Sequence, residues 1–512
     1  MPENLASFKV FCQGGLNTSR DVLSQGENQP GSAVSLINYE PAVTGGYRKI
    51  NGFANNYGTV TGTGSVLGVC VADGINDGVL ACRKPSSGNN YLHKWNNSSS
   101  SWTAITTSGS PTMVGVTKVR FSRLNFGTPK VVLTDGINPA ATYDGSTYTQ
   151  ITHSDAPTDP KFSAVFQNHL FLAGDPAHST KLFFSAPLAE TDFSSGNGAG
   201  VINVGFPIVA IKAFRNELFI FGTTNIKKLS GTASANFVLQ TVTDDLGCLA
   251  TDSVIEIGGD LIFLSQDGLR PVAGTAKIGD VNLETISKNI QSIFTDIIFD
   301  IDLEGLNAVV IRQKTQFRYF FAGADTQGII GGFRQTPNGL QFEYSQMLGI
   351  TATCADSGFI GQNEIVIHGT SDGKVQQQES GNSFGGDPIF SIFQTPFFHM
   401  QDPEQRKIFY NVATYLRSEG DNNIVMSAVY DYEDVDTLNP TNFNLSTAGA
   451  AAFFNEATYN STAIFDGNPS PVQRTNISGS GKSASLKFVT NDTNASHSVQ
   501  GLVITFGVGD RL

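Results

Sequence analysis

A segment of about eight residues recurs along the 512-residue chain at intervals of about 47. That recurrence narrows the folds open to the chain more than any other feature. QNHLFLAG from Gln167, RNELFIFG from Arg215, GGDLIFLS from Gly258 and QNEIVIHG from Gln362 each read as a turn pair, a polar residue and an alternating apolar strand. DGVLACRK from Asp77, PKVVLTDG from Pro129 and QFRYFFAG from Gln316 follow the outline more loosely. The fourth positions (Leu80, Val132, Leu170, Leu218, Leu261, Tyr319 and Ile365) stand 38 to 58 residues apart. A second echo, KWNNSSSSWTAIT from Lys94 and TYDGSTYTQIT from Thr142, repeats at a spacing of 46 from Thr103 to Thr149.

A period of this size built from short strands matches one four-stranded propeller blade. A β-solenoid needs a shorter repeat, and a pair of sandwiches shows no regular recurrence. Hairpin dipeptides stand where blades need them, at Asp73-Gly74, Asp77-Gly78, Asp135-Gly136, Asp144-Gly145, Asp267-Gly268 and Asp372-Gly373. The composition agrees: 54 glycines serve turns, 37 phenylalanines serve strands, and only 15% of residues are charged. The expected fold is all-β, a β-propeller of about seven blades between Gly58 and Phe384, with six and eight as the neighbouring counts.

Two regions depart from the repeat. In LETISKNIQSIFTDI the apolar residues Leu283, Ile286, Ile290, Ile293, Phe294 and Ile297 form a helical stripe, which predicts one short inserted helix. After Gly386 the strands lengthen and turns thin out, which predicts a C-terminal β-sandwich with long exposed loops within Thr437–Gly481. The chain therefore divides into an N-terminal arm with the first strands (1–57), the propeller (58–386) and the sandwich (387–512). SGNSFGGD from Ser380 is small and polar and reads as the flexible, cleavable joint before the sandwich.

Chemistry is sparse. Net charge is −13 and no block of Lys or Arg occurs, so electrostatic adhesion to nucleic acid or anionic lipid is not expected. The most apolar stretch, Val204–Gly222, is interrupted by Lys212, Arg215 and Glu217, so no membrane-spanning segment is expected. MPENLASFKVF at the start lacks the pattern of a signal peptide. Cys12, Cys70, Cys82, Cys248 and Cys354 are scattered and read as reduced core residues. The seven histidines show no metal-binding spacing, and His169 in a blade strand reads as packed. The acids Asp296, Asp300, Asp302 and Glu304 read as a solvated helix end rather than a cation site. A propeller glycosidase would need paired carboxylates. Asp244-Asp245, Asp267 and Asp372 are available, but Asp-Gly is chiefly turn chemistry. No catalytic, cofactor-binding or metal-binding residue is assigned, no cofactor is expected, and the chain reads as a non-enzyme.

The first fifty residues carry the sharpest motif: Gly14, Gly15, Leu16 and Asn17, then Leu36, Asn38 and Tyr39, then Gly45, Gly46, Tyr47, Arg48 and Gly52. This resembles the opening of the nozzle (hub, or DNA-stabilisation) proteins in short-tailed bacteriophage tails. ELFIFGTTNIKKLSGTASANFVLQTVTDDLGCLATDSVIEIGGDLIFLSQDGLRPV from Glu217 resembles that family's propeller stretch, and DPEQRKIFY near the C-terminus is similar too. The resemblance implies a structural virion protein, made and assembled in the host cytoplasm. It implies a ring, most often a hexamer, around the DNA ejection channel below portal and adaptor, in contact with tail fibre proteins. Genomic DNA would pass through without tight binding, and an acidic chain with few lysines suits both slippage and permanent self-association. The alternatives are a propeller glycosidase or depolymerase, and a receptor-binding tail protein acting through rim loops such as Asn96–Ser101.

Overall fold

Turn chemistry sets up the blades. Gln167 and Asn168, Arg215 and Asn216, and Gly258 and Gly259 all hold positive φ, so each pair forms a tight two-residue reversal between antiparallel strands. At the fourth repeat the reversal falls one residue earlier than the motif suggests, on Gly361-Gln362. The computed structural model describes residues 5–105, 113–272, 285–300, 303–321, 328–336, 339–400, 402–434, 436–446 and 471–508.

Seven antiparallel blades follow one another among the described residues. Their innermost strands are Thr63–Val71, Arg120–Asn125, Phe162–Phe166, Ala210–Phe214, Ile255–Ile257, Asn307–Ile311 and Cys354–Ile360. Each of the seven repeated apolar positions, from Leu80 to Ile365, lies on the second strand of its blade. Apolar clusters fill every gap between neighbouring blades. Cys82 and Val131 pack blades one and two, Leu172 and Leu124 blades two and three, and Phe221 and Phe263 blades four and five. Val71 and Ile367 close the ring between blades one and seven. The expected propeller and its seven blades are present.

Closure uses the arm. The outer strand of blade seven is Phe53–Ala54, paired with Val375–Gln378 through Gln377↔Ala54 and Gln378↔Phe53. SGNSFGGD is not a free joint. Gly52 and Phe53 donate backbone hydrogen bonds to Gly381 and Ser383, and the rings of Phe53 and Phe384 stack 5.2 Å apart. The arm also completes the sandwich. Leu5–Phe11 pairs with the last strand, His497–Val508, which also pairs with Tyr47–Lys49 and Lys407–Ser418.

Blade six is not a separate sheet. Its last strand, Gly339–Met347, meets Ser35–Ile37 in parallel, and Ser35–Ile37 pairs in turn with Ile389–Gln394 of the sandwich. One nine-stranded sheet thus runs from propeller into sandwich, out to Phe443–Ser446. Phe443–Ser446 and Val472–Gly481 are strands inside the stretch expected to be loops, and residues 447–470 lie outside the described residues.

The inserted helix is Gln291–Asp300, entered by a turn of 3-10 helix at Lys288–Ile290. Ile290, Ile293, Phe294 and Ile297 are buried, as the stripe predicts, while Leu283 lies outside the described residues. The helix starts late because Ile286 N–H bonds to Leu269 O and Ser287 Oγ accepts from Leu269 N–H, holding 285–287 along blade five.

Candidate functional site

The motif residues of the arm converge on the seam between blade six, blade seven and the sandwich. Asn38, with φ +54, donates from Nδ2 to Leu348 O at 2.8 Å and Phe390 O at 2.7 Å, tying both halves to one side chain. Tyr47 Oη donates to Gly31 O, and Tyr39 Oη meets His497 Nε2 at 2.9 Å. A Cβ on Gly15 would stand 2.6 Å from Tyr344 N, and one on Gly52 would stand 1.8 Å from Ser383 O. The glycines are there because backbones touch.

Arg48 anchors a partly buried ionic network at the same seam. It bonds Glu40 at 2.9 Å and Glu419 at 2.6 Å. Glu40 also takes Lys314 at 2.7 Å, Lys314 reaches Glu379, and Glu379 pairs with the fully buried Arg318. Burial works against the Glu379 carboxylate, but Arg318 and Lys314 outweigh it and hold its pKa below the ordinary range. Three cations meet three carboxylates, so the network is internally neutral and its geometry is fixed by charge.

The second concave feature is the propeller's axis. All seven inner strands line a cavity of about 430 Å³. Lys118 and Arg120 both bind Asp252, at 2.7 and 2.8 Å, on one side. Burial raises the Asp252 pKa and these two cations lower it, for a net fall to about 2. Arg123 pairs with Asp356 at 2.6 Å. Arg312 lies 3.7 Å from Glu364, whose carboxylate is already engaged by the Arg312 and Gln313 N–H groups. Lys212 and Glu256 line the cavity without an ion pair within 4 Å among the described residues. The sequence carries no basic block, yet the fold gathers five cations here. Two signals were visible: Lys212, a charge inside an apolar strand, and KVRFSR from Lys118, which supplies three of the five.

The carboxylates considered for glycosidase chemistry do not line this cavity. Asp267 is tied to Arg270 and Thr285, Asp372 to Lys374, and Asp244 to Asn225. Asp296 is exposed and Glu304 pairs with Lys161, whereas Asp302 and the Asp300 side chain lie outside the described residues. His169 is packed among Phe171, Phe184 and Phe237, and its Nδ1 meets Ser185 O. The five cysteines are free and buried, and burial pushes the Cys354 thiol up to about 12. Asn96–Ser101 forms an exposed hairpin tip on blade one, where Asn97 N–H bonds Asp77.

No family model and no curated protein matches the chain. Among solved structures, it is similar to the extracellular domain of a hybrid two-component system from B. thetaiotaomicron, at 12% identity and TM-score 0.40, over 66% of this chain and 41% of that one. An ancestral GH74 enzyme is similar at 11% identity and TM-score 0.39, over 73% of this chain and 53% of that one. YCF48 bound to D1 peptide is similar at 10% identity and TM-score 0.37, over 63% and 95%. The matched part spans less than two thirds of the length of the first two. These likenesses assign no activity. No described helix is long and apolar enough to cross a membrane.

Proposed function

We propose that the chain is a structural subunit of a short-tailed bacteriophage tail, of the nozzle kind, assembling as a ring of six below portal and adaptor. The observation that supports this reading is the use made of the shared motif. Gly15, Asn38, Tyr39, Tyr47, Arg48 and Gly52 all serve the seam that welds propeller to sandwich. Such residues build a rigid body rather than a catalytic centre. A weld of this kind suits a subunit that must resist pressure while DNA passes. The DNA path is the lumen between subunits, because the axial cavity of about 430 Å³ is far too small for a duplex. Net charge of −13 keeps that lumen from gripping phosphates.

Antibody labelling of intact particles in negative stain, together with the mass of the purified assembly, tests the proposal. A labelled ring at the tail axis, stable in high salt and without retained duplex DNA, is the expected result. A monomer in the particle, tight salt-sensitive DNA binding, or saccharide release from host polysaccharide would reject it; the last would favour the glycosidase alternative.

A further inference from the structure

We infer that the axial cavity of the propeller is a binding site for a small polyhydroxylated molecule carrying one phosphate or carboxylate group, held by Lys212, Arg123 and Arg312. Its lining carries five cations (Lys118, Arg120, Arg123, Lys212 and Arg312) against three acids, Asp252, Glu256 and Asp356, with a fourth acid, Glu364, behind Arg312. That local excess of positive charge stands inside a chain of net charge −13. Positive charge gathered on the walls of a concave space raises the local concentration of anions.

The cations are not equally occupied. Lys118 and Arg120 share Asp252, so their needs are largely met within the protein. Arg123 and Arg312 keep 48% and 49% of their side chains accessible despite their partners, so the cavity is open to solvent beside them. Lys212 projects from the middle of Ala210–Phe214, between the buried Ile211 and the half-buried Ala213, and is exposed to the cavity. Desolvation holds its pKa below the usual value; Glu256 and Asp356 oppose that fall, and Arg123 and Arg312 add to it. An anion seated among the three groups would satisfy all of them and favour the charged form of the lysine.

The acids define the rest of the ligand. Glu256 has no ion pair within 4 Å among the described residues, and carboxylates accept hydrogen bonds from hydroxyl groups. A bare inorganic anion would leave Glu256 facing empty solvent and would not use most of the volume. A hexose with one acidic substituent fits both the size and the mixture of charge. This assignment is independent of the tail reading, since either can fail alone.

Calorimetric titration of the full chain at low salt with glucose 6-phosphate, glucuronate and uncharged glucose tests it. At least one anionic sugar should bind at one site per chain, and glucose should not. Glucose 6-phosphate alone assigns a phosphate, glucuronate alone a carboxylate, and both together the shared anionic chemistry. Lys212→Gln should weaken binding about tenfold or more, the loss expected for one charged hydrogen bond. Arg312→Gln should do the same and decides the matter if the first variant melts early. Lys84→Gln, exposed on blade one outside the cavity, should change nothing. Absence of saturable binding by either anionic sugar, or affinity unchanged in both cavity variants, overturns the inference.

Discussion

Gly45 and Gly46 share a left-handed backbone, at φ +92 and +84, but not a neighbourhood. A Cβ at Gly45 meets nothing within 4 Å, whereas one at Gly46 would stand 2.3 Å from Val499 O on the last strand. Gly45→Ala should therefore cost only the backbone term, about 1 kcal/mol. Gly46→Ala adds a backbone collision and should cost about 2–4 kcal/mol. Denaturant melts of the two variants measure the difference, and equal losses would show that the Gly46–Val499 approach is not tight. The pair also marks how far residue-level reading reaches. The motif flags both glycines and Arg48, because pattern is local. It is silent on Val499 and on Glu419, Lys314, Arg318 and Glu379, which arrive from distant segments. The axial cations were hidden in part: Lys118, Arg120 and Arg123 stand together in one short segment, but Lys212 and Arg312 come from other blades and join them only when inner strands surround an axis.

At the scale of elements, hairpins were legible and closure was not. Asn-Gly-like and Asp-Gly turns act over four residues, so their chemistry is written where it operates. The six Asp-Gly dipeptides of the propeller all fall in or beside connections within blades. The closing strand, Phe53–Ala54, is two residues long and carries no alternation, and its partner lies more than 300 residues away. Small polar composition made SGNSFGGD resemble a linker, yet its carbonyls accept bonds from the arm and Phe384 is held by ring stacking. Limited proteolysis of the native chain should leave 380–387 intact while Asn96–Ser101 remains accessible. Early cleavage within 380–387, read by mass spectrometry, would contradict the strap. The helix follows the same lesson: its stripe was visible, but its start depends on Leu269 bonding to Ile286 and Ser287, a contact no periodicity contains.

For the whole molecule, the propeller and the sandwich share one apolar cluster, in which Leu264 of blade five, Tyr344 of blade six, Phe294 of the helix and Phe488 of the sandwich all take part. The architecture was readable from period and strand length; the fusion was not, because it rests on a three-residue strand, Ser35–Ile37. Scanning calorimetry should record one cooperative transition, and two separable transitions would contradict a shared core. Its midpoint should depend on acidity in a definite direction. Burial holds His368 at about 4 and His497 at about 3, against an ordinary 6.5. Below pH 6.5 the unfolded chain takes up protons that the folded one refuses, so stability should fall from there toward pH 4 and be insensitive to both histidines above 6.5. A midpoint that rises on acidification through this window would contradict the buried neutral histidines. The pairing of Leu5 with Gly507 also sets a schedule for biosynthesis. At about 5–20 residues per second a ribosome needs roughly 25–100 s to deliver the last strand after the first has emerged. Throughout that interval Leu5, Phe8, Val10 and Phe11 lack their partner strand, and the nascent chain carries an unpaired strand edge.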